Sequence, residues 1–114
     1  MKLEEIAAKL ALSVRTAPHK LGVEVTGGYA SDLLSRVMAR AKKGNLWVTI
    51  QAHPNIVAVA SLLELAGIIV AEDVELDPVT IEKANQEGIP ILSTAHSTFT
   101  IVGQLVQLGV AGVD

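Results

Sequence analysis

The fold is decided by residues 46–71, which read LWVTIQAHPNIVAVASLLELAGIIVA. Two short apolar runs, at 46–50 and 68–71, enclose a segment that begins near Pro54 and ends at Gly67. Proline at the start of a segment and glycine after its end are typical of a helix. A strand, a helix and a second strand in this order predict two parallel strands with a helix packed across them.

The same alternation continues on both sides of this unit. Downstream, a third apolar run at 90–93 lies between helical segments that begin near Pro78 and Ser97. Upstream, the spacing of apolar residues predicts two helices and two short strands, at 2–12, 32–43, 13–16 and 23–26. Because strands made almost wholly of apolar residues are buried on both faces, the sequence predicts an α/β protein. Its expected architecture is three α/β/α layers with a mostly parallel sheet of four to five short strands.

Composition limits the classes of function. The chain has 114 residues, of which 50% are hydrophobic and 18% charged, and its net charge is −3. Globular proteins carry about 25% charged residues, so intrinsic disorder is excluded and a single domain over residues 1–114 is expected. The acidic balance lacks the basic excess that nucleic-acid binding requires, so we expect no nucleic-acid partner.

The expected cellular location follows from the same composition. The chain contains no cysteine, which excludes disulfides and thiolate metal sites and suits a reducing compartment. No apolar stretch approaches the roughly 20 residues of a membrane span. Glu4, Glu5 and Lys9 are unlike the start of a secretory leader. We therefore expect a cytoplasmic protein without a membrane partner.

Polar side chains concentrate in the loops that follow the predicted strands. Ligands of open parallel sheets bind outside the carboxyl ends of the strands, and a pair of glycines there allows close approach to the backbone. We therefore expect a small anionic or nucleotide-type metabolite in these loops. The candidate ligand-binding residues are Thr26, Gly27, Gly28, Ser31, His53, Asn55, Ser93 and Thr94. A helix N-cap at Ser31 and a tight turn at Gly27 and Gly28 are the alternative interpretations.

No catalytic residue, metal site or cofactor is predicted. Gly27 and Gly28 complete neither the dinucleotide-binding fingerprint nor the P-loop motif, and Ser31 lacks the setting of a hydrolase nucleophile. The three histidines do not have the spacing of metal ligands. His53 and His96 stay open as acid–base groups of a small enzyme acting on a phosphorylated metabolite.

The segment 55–66 bears on assembly. After Asn55 its only polar interruptions are Ser61 and Glu64, and a helix that is apolar nearly all round needs cover on several sides. Two interpretations are open. Either the helix contacts a symmetric partner, which predicts a homodimer, or it lies buried between neighbouring helices.

The run TGGYASDLLS at 26–35, with WVTIQ at 47–51 and HPNI at 53–56, resembles the DRTGG-domain family over essentially the whole chain. Thr26, Gly27 and Gly28 match the motif that names the family, whereas Glu24 and Val25 stand where the motif has Asp and Arg. The resemblance implies an α/β/α fold similar to the N-terminal domain of HPr kinase/phosphorylase. It implies no kinase activity, because the kinase chemistry of those proteins lies in a separate P-loop domain.

The resemblance also bears on function. In larger relatives the domain resembles a regulatory or dimerising part, beside CBS domains in some inorganic pyrophosphatases and beside the catalytic part of some phosphate acetyltransferases. It implies ligand contacts at Thr26, Gly27, Gly28 and Ser31. Our first hypothesis is a non-enzymatic regulatory or interaction module that is homodimeric and binds a metabolite at the strand-end loops. The alternatives are the small histidine-dependent enzyme and a purely structural scaffold for a partner protein.

Overall fold

Five strands and five α-helices follow one another in the computed structural model, which describes residues 1–114. The strands are β1 (Ser13–Val14), β2 (Gly27–Ala30), β3 (Asn45–Thr49), β4 (Gly67–Val70) and β5 (Ile91–Ser93). The α-helices are α1 (Leu3–Lys9), α2 (Leu34–Arg40), α3 (Asn55–Leu63), α4 (Pro78–Glu87) and α5 (Thr98–Gln107). A single 3₁₀ turn at Pro18–Lys20 connects β1 to the segment before β2.

All five strands belong to one sheet, in the order β1-β5-β4-β3-β2. Strands β2 to β5 are parallel, and the short β1 pairs with β5 in the antiparallel direction. The mostly parallel sheet predicted from the apolar runs is therefore confirmed. The ends of β1, β3, β4 and β5 differ from the predicted bounds by one or two residues, so that the buried Thr16, Ala71 and Pro90 lie just outside the strands.

The sheet is covered on both faces, because successive side chains of a strand point to opposite sides. Trp47, Ile68 and Ile91 are fully buried in a core shared with helices α2, α3 and α4. Leu46, Ile69 and the remaining alternate positions lie in a second core shared with α1 and α5. The predicted three-layer α/β/α architecture is confirmed by these two cores. None of the helices combines the length and the apolarity needed to cross a membrane.

The strand predicted at 23–26 is wrong. These residues pair instead with the start of the chain, where Leu3 N donates to Val23 O and Val25 N donates to Met1 O, both at 2.9 Å. The alternation of apolar and polar residues at 23–26 is satisfied by this short pairing outside the sheet. The sheet strand is formed by the next residues, Gly27–Ala30.

Helix α2 is shorter than the predicted 32–43, and Ser31 is not its N-cap. The N-cap position belongs to Leu33, which has no side-chain hydrogen bond to the helix. Ser31 Oγ instead accepts from Leu33 N at 3.2 Å within the preceding loop. By contrast, the helix predicted to begin near Ser97 is confirmed, and Ser97 is its N-cap, since its Oγ accepts from Thr100 N at 3.2 Å.

Helix α3 lies between α2 and α4. Four of its nine residues are buried, namely Ile56, Val57, Val59 and Ala60, and Leu62 is its one exposed large apolar side chain, at 69%. The helix ends before the predicted residue 66 because Glu64 adopts the left-handed conformation, with φ 55°. These contacts agree with the interpretation of a helix that lies between its neighbours, and the homodimer stays a prediction.

Candidate functional site

Four loops meet at the carboxyl edge of the parallel strands, at 31–33, 50–54, 71–77 and 94–97. Thr49 of β3, Val70 of β4 and Ser93 of β5 are in register across this edge. Neighbouring strands are about 4.8 Å apart, so Thr49 and Ser93 are separated by roughly 10 Å. The sheet therefore brings Ser31, His53, Asn55, Ser93 and Thr94 to one end of the molecule.

The loop after β2 is fixed to the loop after β3 through Asp32. Its Oδ1 accepts from Thr49 Oγ1 and from Ile50 N, each at 2.8 Å. The Asp32 carbonyl accepts from Gln51 Nε2 at 3.0 Å. Because Thr49 is fully buried, its hydroxyl needs the Asp32 carboxylate as a hydrogen-bond partner. Asp32 therefore stabilises the fold besides contributing a polar group to the edge.

Ser31 and His53 lie in this same half of the edge. The carbonyl of Ser31 accepts from the indole Nε1 of Trp47 at 2.9 Å, which ties the loop to the core. His53 is exposed, and its Nδ1 accepts from Asn55 N at 3.2 Å at the start of α3. One ring nitrogen is thus engaged in capping a helix, and neither His53 nor His96 is hydrogen-bonded to a carboxylate.

The loops after β4 and β5 form the other half of the edge and are joined by backbone hydrogen bonds. Glu72 N donates to His96 O at 2.8 Å, and Asp73 N donates to Thr94 O at 3.0 Å. Both Glu72 and Asp73 have positive φ, at 64° and 57°. The Glu72 carboxylate accepts from the amide and the hydroxyl of Thr98 at the start of α5.

This second half is where an α/β sheet most often forms a ligand crevice, because α4 and α5 leave adjacent strands toward opposite faces. Here the loop after β4 carries four carboxylates, and neither this loop nor the loop after β5 contains a lysine or arginine. The acids are Glu72, Asp73, Glu75 and Asp77. The loops after β4 and β5 are consequently unfavourable for an anion, and they include Thr94, which follows Ser93 at the end of β5.

Thr26, Gly27 and Gly28 lie at the opposite, amino end of β2. The prediction that they share one edge with the other candidates is therefore wrong. Thr26 is engaged with the turn before β3: its hydroxyl donates to Lys43 O at 2.8 Å and accepts from Asn45 Nδ2 at 3.2 Å. This contact fixes the start of two neighbouring strands. It accounts for a threonine at position 26 without any contact to a ligand.

The glycine pair admits the C-terminal segment against the edge of the sheet. Gly28 N donates to Ala111 O at 2.8 Å. A Cβ on Gly27 would lie 3.0 Å from Ala111 O, and one on Gly28 would lie 3.3 Å from Val110 Cγ1. Close approach of backbone to backbone explains both glycines, so this part of the motif acts in packing.

Three polar residues of the edge were missed by the sequence reasoning, namely Asp32, Gln51 and Glu72. Asp32 was assigned to a helix, and Gln51 and Glu72 to loops of unspecified role. Their positions in the sequence could have identified them, because each lies two residues after the end of a strand. No group of three or more histidine, aspartate or glutamate side chains is arranged to hold a metal ion.

The model of the DRTGG domain family matches residues 19–108. No curated protein matches the sequence.

Among solved structures, the chain is similar to the CBS and DRTGG domains of the regulatory region of Clostridium perfringens pyrophosphatase, complexed with its activator, diadenosine tetraphosphate. The TM-score is 0.72 at 19% sequence identity, and the match covers 99% of this chain and 48% of that one. The chain thus spans about half of that region, and at this identity the likeness shows the fold.

Proposed function

The chain belongs to the DRTGG-domain family, and from that premise we propose that it is a non-enzymatic regulatory module. Its ligand is a small anionic or nucleotide-type metabolite, it acts as a homodimer, and its location is cytoplasmic. The similar pyrophosphatase region, which carries a DRTGG domain, is regulatory and was captured with a nucleotide activator. That activator was bound to a region about twice the length of this chain. The residues of this chain therefore have to indicate where its own ligand binds.

The observation that carries the proposal is the difference between the two halves of the carboxyl edge. Around β2 and β3 the exposed or half-exposed polar residues are Ser31, Gln51, His53 and Asn55, and Asp32 is their only carboxylate. The loop after β4 carries four acids. An anion is repelled by like charges at close range, so we place the ligand over the loops that follow β2 and β3.

Three residues of this half have a defined part in the proposal. His53 offers an exposed imidazole beside the start of α3, where backbone N–H groups favour negative charge. Ser31 and Gln51 offer hydroxyl and amide groups that orient a phosphate or a ribose. Ser93 and Thr94, on the acidic side, are left as the outer limit of the site, and Thr26, Gly27 and Gly28 take no part in it.

The test is thermal unfolding in the presence of diadenosine tetraphosphate, ATP or inorganic phosphate. A ligand that binds only the folded chain stabilises it by about 2.7 kcal/mol at a concentration of 100 times Kd. We expect at least one nucleotide to raise the Tm, and His53→Ala to abolish most of that rise. His19→Ala, which removes an exposed histidine of the 3₁₀ turn, is the matched control and should leave the rise unchanged.

Two results contradict the proposal. If none of the three compounds changes the Tm, the module has no nucleotide or phosphate site, and a scaffold for a partner protein is favoured. If phosphorus NMR shows that a bound compound is converted to product, and His53→Ala or His96→Ala stops the conversion, the protein is an enzyme. Recovery of the unchanged compound supports the regulatory module.

A further inference from the structure

The outer face of α5 is an uncovered apolar stripe. Phe99 is 90% exposed and Val106 is 62% exposed, and Gly103 between them is also exposed. Residues spaced by four and three lie on one side of a helix. The inner face of the same helix is already buried in the core through Ile101 and Leu105. Helix α5 therefore has two apolar faces, of which one is buried in the core and the other is exposed.

Charge is absent from this whole part of the chain. No aspartate, glutamate, lysine or arginine occurs between Ser97 and Val113. A surface helix normally carries charged residues on the face that meets water. Charged residues are instead depleted at the centres of protein interfaces, where aromatic residues are enriched. An exposed phenylalanine on a helix without charged residues, as at Phe99, is typical of the centre of a protein interface.

An apolar groove runs beside the stripe, between α5, β2 and the C-terminal segment. Its volume is about 80 Å³, and eight of its ten lining residues are hydrophobic. Val102 and Val106 line it from the helix, and Gly28 and Ala30 line it from the edge strand. The groove is too small for a nucleotide and is shaped by apolar side chains, so it suits part of an apolar side chain from a partner.

We infer that this face is covered by a second copy of the chain, with the two α5 helices antiparallel about a twofold axis near Gly103. Phe99 and Val106 are equally distant along the helix from the midpoint between Val102 and Gly103. Each lies roughly 5 Å from that midpoint, given a rise of 1.5 Å per residue. A twofold axis there places Phe99 of each copy against Val106 and the groove of the other.

Two further features favour this occupant. A Cβ on Gly103 would meet nothing within 4 Å, so the helices can approach closely where they cross. A twofold contact repeats the same surface on both sides, and a neutral surface meets itself without repulsion between like charges. The two Phe99 side chains bring roughly 300–500 Å² to the contact, about a quarter of the roughly 1,600 Å² of a standard interface.

This inference rests on the homodimer of the proposed function and adds the surface that forms it. The surface differs from the one expected from the apolar sequence of α3, which the structure places between α2 and α4. Residues Ser31 and His53 take no part in the contact, so ligand binding and dimerisation are separately testable.

The first experiment is sedimentation of the intact chain and of two charged variants. We expect a dimer for the unmodified chain, and Phe99→Glu should raise its dissociation constant about 30-fold or more, as for a central interface residue. Leu62→Glu introduces the same charge at an exposed apolar position of α3 and should leave the dissociation constant unchanged. Circular dichroism of both variants establishes that each is folded.

The second experiment uses the absence of cysteine in the chain. Gly103→Cys should form a disulfide between copies under mild oxidation, because a twofold axis near residue 103 brings the two Cα atoms within reach of the bond. Leu62→Cys at the same concentration should stay reduced.

The possible results separate the two proposals. A monomer at all concentrations overturns both this interface and the homodimer. A dimer that resists Phe99→Glu and is broken by Leu62→Glu overturns the α5 interface alone. Crosslinking through Gly103→Cys together with dissociation by Phe99→Glu supports the interface, whatever the ligand titration shows.

Discussion

Glu72 Oε2 accepts hydrogen bonds from the amide and the hydroxyl of Thr98, at 3.1 and 3.0 Å, across two loops of the sheet edge. A carboxylate at the first turn of a helix is stabilised by the free N–H groups and the helix dipole. Glu72 thus gives α5 the negative partner that a ligand would otherwise supply, and the start of α5 is filled by the protein itself.

Glu72→Ala should therefore destabilise the fold. The loss of two hydrogen bonds at a helix start costs about 1 kcal/mol, which lowers the Tm by roughly 4 °C in a chain of this size. Glu75→Ala removes an exposed acid of the same loop that has no side-chain hydrogen bond, and it should leave the Tm within about 1 °C. Equal changes of the Tm in both variants would show that the charge of the loop, rather than the contact with Thr98, determines the stability.

The sheet and its layers were predictable because they depend on patterns that are local in sequence. The apolar runs of β3, β4 and β5 and the helices between them are visible without any long-range contact. The same reasoning placed Ser97 at the start of α5 correctly, since an N-cap depends on residues within one turn.

The errors concern residues whose role is set by distant partners. Val23 and Val25 alternate like a strand, yet their partners are Leu3 and Met1, at the beginning of the chain. Gly27 and Gly28 resemble a ligand loop, yet their neighbour is the C-terminal segment. Contacts between the two ends of the chain and its middle cannot be deduced from local periodicity, so three of the eight candidate residues were placed at the wrong end of β2.

Gly27→Ala should destabilise the protein even in the absence of any ligand. The added Cβ would lie 3.0 Å from Ala111 O and 3.2 Å from Asn45 Nδ2, and overpacking of this kind costs about 1–3 kcal/mol. Gly22→Ala is the control, because a Cβ there meets nothing within 4 Å, and it should be neutral or slightly stabilising. Chemical denaturation measures both. An unchanged stability of Gly27→Ala with lost ligand binding would return the glycine to the ligand site.

Ala11→Gly should stabilise the protein. Ala11 follows the end of α1 with φ 51°, a left-handed conformation that costs residues with a side chain about 1 kcal/mol and that glycine adopts freely. The expected gain in the free energy of unfolding is about 0.5–1 kcal/mol. Ala8→Gly, an exposed position inside the same helix, should instead lose about 1 kcal/mol. If both substitutions destabilise, the entropy of the unfolded chain outweighs the backbone strain at Ala11.

Lys43→Met should move the titration of Glu64, which is 2.9 Å from Lys43 Nζ. The hydrogen bond from Lys43, aided by its charge, lowers the pKa of the Glu64 carboxyl and raises the pKa of Lys43. A lowered folded pKa means that the pair contributes stability above the unfolded pKa of the carboxyl and loses it as pH falls through the folded pKa. Carboxyl-carbon NMR should show the pKa of Glu64 rising in Lys43→Met. Lys42→Met removes the neighbouring lysine, which has no ion pair, and should leave the pKa of Glu64 in place. An equal rise in both variants would mean that Lys42 and Lys43 together set this pKa.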